Sequence, residues 1–203
     1  MKRFTALSAT AVAAALFLAG CGSDTGSDTA AETTQGMETT SQSPSAASSG
    51  VAGDHNSADV MFAQMMTPHH EQAVQMSEIM LAKDGLDPQI TQLAEEIKAA
   101  QGPEIEKMTG WLEAWGEPTE MSGGHAMEGM MSPDDLGKLE AAQGDDAARM
   151  FLDQMIEHHE GAVAMAEEEV ANGSNPDAVA LAKQVVEDQE AEIEKMKDLL
   201  AAL

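Results

Sequence analysis

The sequence predicts an all-α protein, a four-helix bundle built from two duplicated helical hairpins with a short extra helix in the connection between them. Apolar residues recur at spacings of three and four over long segments, which is typical of amphipathic helices. The chain also repeats itself at an offset of 89 residues, and a repeated supersecondary unit usually packs against its copy. Caps and prolines mark the ends of each predicted helix.

Each copy is predicted to contain two helices, and residues such as Gly, Asn, Asp and Pro separate them. The predicted helices span 57–83 and 88–115 in the first copy (about 58–116), 145–171 and 176–203 in the second (about 145–203), and 132–144 in the connection. Neither hairpin can bury its apolar stripe alone. We therefore expect the two hairpins to pack against each other.

The first 57 residues are expected to lie outside the bundle. Residues 1–21 resemble a bacterial lipoprotein signal, with a positive start, an apolar stretch too short for a transmembrane helix, and Leu18-Ala19-Gly20-Cys21 at the end. Cys21, the chain's single cysteine, would be acylated and would anchor the protein outside the cytoplasm; the alternative is an ordinary secretory signal. Residues 22–57 have the composition of a flexible tether, which leaves 58–203 as the bundle domain.

Composition limits the possible partners. The formal net charge is −26, which excludes nucleic acid and makes a bare anionic membrane a poor partner. Most of the carboxylates are expected on a solvated exterior. Because aromatic residues make up 3% of the chain and methionines number 16, the core must use aliphatic side chains and an unusual share of methionine.

The most informative motif is Met-x-x-His-His, which occurs once in each copy. On a helix, His69 and His158 fall in the middle of the apolar stripe, and His70 and His159 fall at its edge. Imidazole and thioether both bind soft or borderline metals, so these histidines predict a metal site across the bundle axis. The methionines that are either further ligands or core are Met65, Met66, Met76, Met155 and Met165. The methionines expected in the core are Met61, Met80, Met108 and Met196.

A second methionine-rich segment, residues 121–131, lies in the connection between the copies. This Gly-rich loop has no helical stripe to bury, and its thioethers suit a soft cation such as Cu(I) or Ag(I). The alternative is that the loop folds its methionines over the end of the bundle. The candidate ligands here are Met121, His125, Met127, Met130 and Met131.

The available donors favour copper over other metals. A thiolate site is excluded because Cys21 is alone, and the Glu-x-x-His motif of di-iron bundles is missing because Thr67 and Ile156 precede His70 and His159 by three residues. Nucleophilic triads, phosphate-binding loops and zinc-protease motifs are also missing. Imidazole and thioether without inward carboxylates indicate copper, particularly Cu(I). We therefore do not expect an enzyme, and a metal-dependent oxidoreductase is the least favoured hypothesis.

The repeated Met-x-x-His-His-x-x-Ala-Val-x-Met motif, followed in each copy by Gln-x-x-Glu-Ile-x-x-Met (101–108 and 189–196), resembles the domain of unknown function 305 family. The resemblance covers about residues 58–203. It implies a ferritin-like four-helix bundle that is usually exported or lipid-anchored, and in some members extracytoplasmic copper binding through the histidine pair. The family often has an acidic residue three positions before the Phe, where Asp59 fits and Ala148 departs.

The leading hypothesis is a lipid-anchored extracytoplasmic protein that buffers Cu(I), or Ag(I), or passes it to a metal-transfer protein. The alternative is a structural or partner-binding lipoprotein whose histidines are hydrogen-bonded core residues. We expect the helix histidines to form the tighter metal site, which should weaken as the pH falls through about 6.5. Loop 121–131 should form a weaker, pH-insensitive site that can be deleted separately.

Overall fold

The protein is described by a computed structural model that covers residues 53–121 and 127–203. These residues form α1 (Ser57–Leu81), α2 (Pro88–Trp115), α3 (Pro133–Ala141), α4 (Gly144–Asn172) and α5 (Pro176–Ala202). Helices α1 and α2 form one hairpin, α4 and α5 form the other, and the hairpins pack mainly through α1 and α4. The predicted fold class is confirmed, and every helix end lies within three residues of its predicted position.

The ends of the helices follow from local capping. Asn56 caps α1 in a capping box, in which its side chain accepts from the backbone of Asp59 and the Asp59 carboxylate accepts from the backbone of Asn56. Asp87 caps α2, and Pro88 takes the first helical position, where a missing N–H costs nothing. Gly116 ends α2 with φ of 74°, a left-handed conformation that glycine adopts without strain.

None of the five helices in the described ranges combines the length and apolarity needed to cross a membrane. The predicted lipoprotein signal with Cys21, and nearly all of the predicted tether, lie outside the described residues.

The core divides into two apolar clusters at opposite ends of the α1–α4 contact. One cluster contains the C-terminal half of α1 and the N-terminal half of α4. The other contains the N-terminal half of α1 and the C-terminal half of α4. Met80, Met108 and Met196 are fully buried, as predicted. The prediction for Met61 is wrong, because its side chain is 48% exposed. It precedes Phe62 by one residue and is therefore rotated about 100° away from the buried stripe.

Asp59 links the start of α1 to the turn between α4 and α5 through hydrogen bonds. Its carboxylate accepts hydrogen bonds from the backbone N–H groups of Ser174 (3.0 Å) and Asn175 (2.8 Å). Burial opposes ionisation, but backbone hydrogen bonds outweigh it and lower the pKa of Asp59. Burial beside this carboxylate raises the pKa of Glu169 to about 8. Ala148, the counterpart of Asp59 in the second copy, is a buried apolar residue instead.

Candidate metal centre

The two central histidines meet where α1 crosses α4, between the two apolar clusters. His69 and His158 are buried, and their ring centroids are 3.8 Å apart with an angle of 40° between the ring planes. Each residue lies in the middle of the apolar stripe of its own helix, and the duplication places equivalent positions opposite each other. The structure therefore brings together two of the histidines that the motif predicts as ligands.

Burial keeps both central imidazoles neutral. Desolvation lowers the pKa of His69 to about 3 and that of His158 to about 2, and repulsion from neighbouring histidines adds to the effect. Each ring therefore retains a lone pair at pH values where a free imidazole is protonated. The expectation that these rings titrate near pH 6.5 is wrong, because it used the pKa of an exposed histidine.

Several ring nitrogens at this centre have no hydrogen-bond partner in the part of the chain that the structure describes. His69 Nε2 lies 3.2 Å from the carbonyl oxygen of Glu128; donation to this oxygen leaves the lone pair on Nδ1, which is buried and unpartnered. In His158 both ring nitrogens are buried, and neither has a partner of hydrogen-bond geometry among the described residues; the nearby backbone of His69 only opposes the fall in the pKa of His158, as the smallest contribution to it. Such an atom typically costs about 1–3 kcal/mol. An apolar side chain at these positions would avoid this loss of folding free energy, unless the ring nitrogens bind a ligand.

The outer histidines are held by glutamates from the second helix of each hairpin. His70 Nε2 lies 2.9 Å from Glu104 Oε2, and His159 Nε2 lies 2.7 Å from Glu192 Oε2. A carboxylate that accepts the Nε2 proton fixes the tautomer and leaves the lone pair on Nδ1. The Nδ1 atoms of both residues are buried and find no partner among the residues described.

These glutamates belong to the repeated Gln-x-x-Glu-Ile-x-x-Met motif, but their pairing with the outer histidines was not predicted from the sequence. The available signal was their spacing, since Glu104 follows His70 by 34 residues and Glu192 follows His159 by 33. Across the described ranges, no three or more His, Cys, Asp or Glu side chains are arranged to hold an ion. The four histidines thus form one central pair and two outer His–Glu pairs.

The candidate methionines on the helices separate into buried and pocket-lining groups. Met66 and Met155 are fully buried, and each stands three residues before the central histidine of its helix, which is about one turn. Met76 is also fully buried and belongs to the core. Met65 and Met165 are partly exposed and line one surface pocket together.

The connection between the copies lies against the central pair. Besides the contact of Glu128 with His69, the backbone of Met131 makes two hydrogen bonds with the side chain of Gln72: its N–H donates to Oε1 (2.7 Å), and its carbonyl accepts from Nε2 (2.9 Å). The C-terminal part of the loop is therefore attached to α1. Deletion of residues 121–131 would therefore also remove the carbonyl that lies beside His69 Nε2, so the separate loss of a loop site stays a prediction.

The loop residues predicted as ligands have different environments. Met131 is 8% exposed and packs in the core, as the alternative interpretation of the loop expects. Met121 and Met127 line a pocket of about 460 Å³ together with residues of α1 and with Thr109 of α2. Met130 is partly buried. His125 lies outside the described residues.

Gly161 allows the connection to lie against α4. A Cβ at this position would stand 2.2 Å from the carbonyl oxygen of Glu128 and 3.0 Å from Gly129 Cα.

Gly161→Ala should therefore displace the connection and lower the free energy of unfolding by about 1–3 kcal/mol. The control is Gly110→Ala, at an exposed position of α2 where a Cβ meets nothing within 4 Å. It should raise the free energy of unfolding by up to about 1 kcal/mol. Urea denaturation measures both, and equal effects would refute this role of Gly161.

Solved structures of similar proteins share this fold. A presumed secreted DUF305 protein from Streptomyces coelicolor is 38% identical with a TM-score of 0.68, over 71% of this chain and 93% of that chain. A DUF305 fragment from Deinococcus radiodurans is 32% identical with a TM-score of 0.69, over 74% and 100%. CopM in its Cu(I)-bound form is 34% identical with a TM-score of 0.60, over 71% and 96%. CopM also has Cu(II)-bound and Ag-bound structures.

No match was found among curated proteins. A family model described as Domain of unknown function (DUF305) matches residues 59–200, which includes all five helices except their outermost residues. The chain belongs to the DUF305 family.

Proposed function

We propose that the protein binds Cu(I) where α1 crosses α4 and acts as an extracytoplasmic carrier or buffer for this ion, with Ag(I) as a chemical analogue. The observation that carries the proposal is His158, whose two buried ring nitrogens have no partner of hydrogen-bond geometry among the described residues and lie beside the ring of His69. A bound ion would take the lone pair of the one unprotonated nitrogen in each of these neutral rings. The copper-bound and silver-bound structures of CopM support the choice of metal.

The chemistry of the neighbouring side chains suits Cu(I), which accepts two or three neutral ligands. His69 and His158 would supply imidazole nitrogens, and Met66 and Met155 are thioethers one turn before them. Because burial keeps both central rings neutral, the ion has no proton to displace there. A site of this kind needs few donors, so two imidazoles with one thioether are sufficient.

The outer His–Glu pairs would balance the charge of the ion. A monovalent cation among neutral ligands in a buried site is costly unless negative charge lies nearby. Glu104 and Glu192 are 15% and 23% exposed and lie directly behind His70 and His159. We propose that these carboxylates stabilise the copper-bound state from both sides.

We also propose that the protein binds the ion without catalysis, because the centre is enclosed by helices and by the connection.

We propose that a lipid on Cys21 holds the protein at the outer side of the membrane, with residues 22–57 as its tether. The Leu18-Ala19-Gly20-Cys21 sequence supports this location. Cys21→Ser should move the protein from the membrane fraction to the soluble fraction. Unchanged partitioning would require a different anchor.

Competition for Cu(I) tests the proposed function. Residues 22–203 would be titrated against a colorimetric Cu(I) chelator at pH 7.5 and at pH 5.5. We expect a site whose affinity changes by less than about threefold between the two values, because the central rings are unprotonated at both. His55→Ala, which removes a histidine far from the crossing, is the control and should bind equally. A fall of about tenfold per pH unit would indicate an ordinary exposed histidine as the ligand.

A further inference from the structure

The groove between α1 and α4 is filled at one end by α3. Leu139 of α3 is fully buried in the cluster that includes Met80 and Ala147. Lys83 at the end of α1 donates to two backbone carbonyls in and just after α3, at 2.8 Å each. Gln154 of α4 also donates to an α3 carbonyl, at 3.3 Å. At this end, therefore, the side chains of α1 and α4 are covered.

The opposite end of the same groove is open and forms a pocket of about 190 Å³. Three thioethers line it, from Met61 and Met65 on α1 and from Met165 on α4. The pair on α1 stands four residues apart and so lies on one face of the helix. Glu168 and Glu169 on α4 also line the wall; Glu168 is exposed, whereas the raised pKa of buried Glu169 keeps it largely protonated near neutral pH.

The internal duplication provides a comparison within the molecule. At the offset of 89 residues, the counterparts of the lining residues Met61, Met65, Met165 and Glu169 are Met150, Gln154, Met76 and Met80. At the covered end, where these counterparts lie, Met76 and Met80 are fully buried core residues. The amide of Gln154 replaces the thioether of Met65 there. Of these two ends, as the described residues form them, the open one combines three accessible thioethers with the exposed carboxylate of Glu168. Core packing explains the methionines at the covered end, but it does not explain Met61, which is 48% exposed.

We propose that this pocket is a second soft-cation site, which takes Cu(I) or Ag(I) through the thioethers of Met61, Met65 and Met165. Thioethers select such ions over hard divalent cations, and the exposed carboxylate of Glu168 in the wall offsets the positive charge. Met65 precedes His69 by four residues, so the pocket lies about one helical turn from the central pair. An ion from solvent reaches this outer site before the enclosed histidines. The choice of ion rests on the proposed function, but the site itself uses no imidazole.

The number of Ag(I) ions bound per chain tests this site, measured by calorimetry on residues 22–203. The double variant Met61→Leu/Met165→Leu should bind one ion fewer than the wild type, with the remaining affinity unchanged within about twofold. The control is Met150→Leu, the duplicated counterpart of Met61, which should bind as many ions as the wild type. Leucine has a similar volume and no donor atom, so the fold should be kept, and circular dichroism checks this.

A double variant that binds as many ions as the wild type would overturn the thioether site. His158→Leu should remove a different ion and leave the one in the pocket. If His158→Leu has no effect while the double variant loses its ion, the histidine centre fails and the thioether site stands. Methyl ¹³C spectra of methionine-labelled protein provide a second readout, because Ag(I) should shift the signals of Met61, Met65 and Met165 together. Unchanged signals during saturation with Ag(I) would also refute the site.

Discussion

His158→Leu should weaken Cu(I) binding at the helix crossing by at least about 100-fold and leave the metal-free protein as stable as the wild type, or more stable. The imidazole of His158 is buried, and within residues 53–121 and 127–203 neither ring nitrogen has a partner of hydrogen-bond geometry. Leucine of similar size would remove two unsatisfied polar atoms, each of which costs about 1–3 kcal/mol. Cu(I) competition measures the first effect, and urea denaturation of the metal-free protein measures the second.

This combination separates metal binding from a purely structural role. If the histidines are core hydrogen-bonding residues, then every replacement should lower the free energy of unfolding. His159→Leu is the matched control in the adjacent position, because it breaks the 2.7 Å contact with Glu192 and should destabilise the metal-free protein. A loss of stability in His158→Leu as large as in His159→Leu would contradict a ligand role for His158.

Glu104→Gln and Glu192→Gln should each lower Cu(I) affinity by about 10- to 100-fold, the usual effect of removing a group that supports metal ligands. Glutamine keeps an oxygen that can accept the Nε2 proton of His70 or His159, so the main change is the loss of negative charge beside the ion. Cu(I) competition at constant ionic strength measures the effect.

The control for these variants is Glu106→Gln, two residues after Glu104 on the exposed side of α2. It removes the same charge from the chain but lies in solvent, where the interaction with a buried ion is screened. We expect its affinity within about twofold of the wild type. Equal losses in Glu104→Gln and Glu106→Gln would mean that total charge, rather than the outer His–Glu pairs, determines the affinity.

The helices could be predicted from the sequence because their determinants are local. Asn56, Asp87 and Gly116 act within a few residues of the helix ends that they cap, and the apolar stripes depend only on spacing. The meeting of His69 and His158 was also predictable, because duplicated positions in the middle of two packed stripes must face each other. Periodicity and repetition therefore explain the bundle and the central pair.

The other parts of the site depend on contacts between residues far apart in the chain. The pairing of His70 with Glu104 requires the register of α1 against α2, which the motif alone does not define. The contact of Glu128 with His69 depends on the path of an irregular connection, and on Gly161 for the space it needs. The low pKa values of His69 and His158 arise from complete burial, which a sequence pattern indicates only approximately.

Nitrogen NMR of the histidines tests the central claim most directly, since it reports each ring nitrogen separately during addition of Ag(I) to ¹⁵N-labelled protein. In the metal-free state, His69 should show a protonated Nε2 and an unprotonated Nδ1. On saturation, the Nδ1 signal of His69 and one ring-nitrogen signal of His158 should shift strongly, while His70 and His159 keep their protonated Nε2 signals. Central-ring signals that stay in place while the protein is saturated with silver would contradict binding at the α1–α4 crossing.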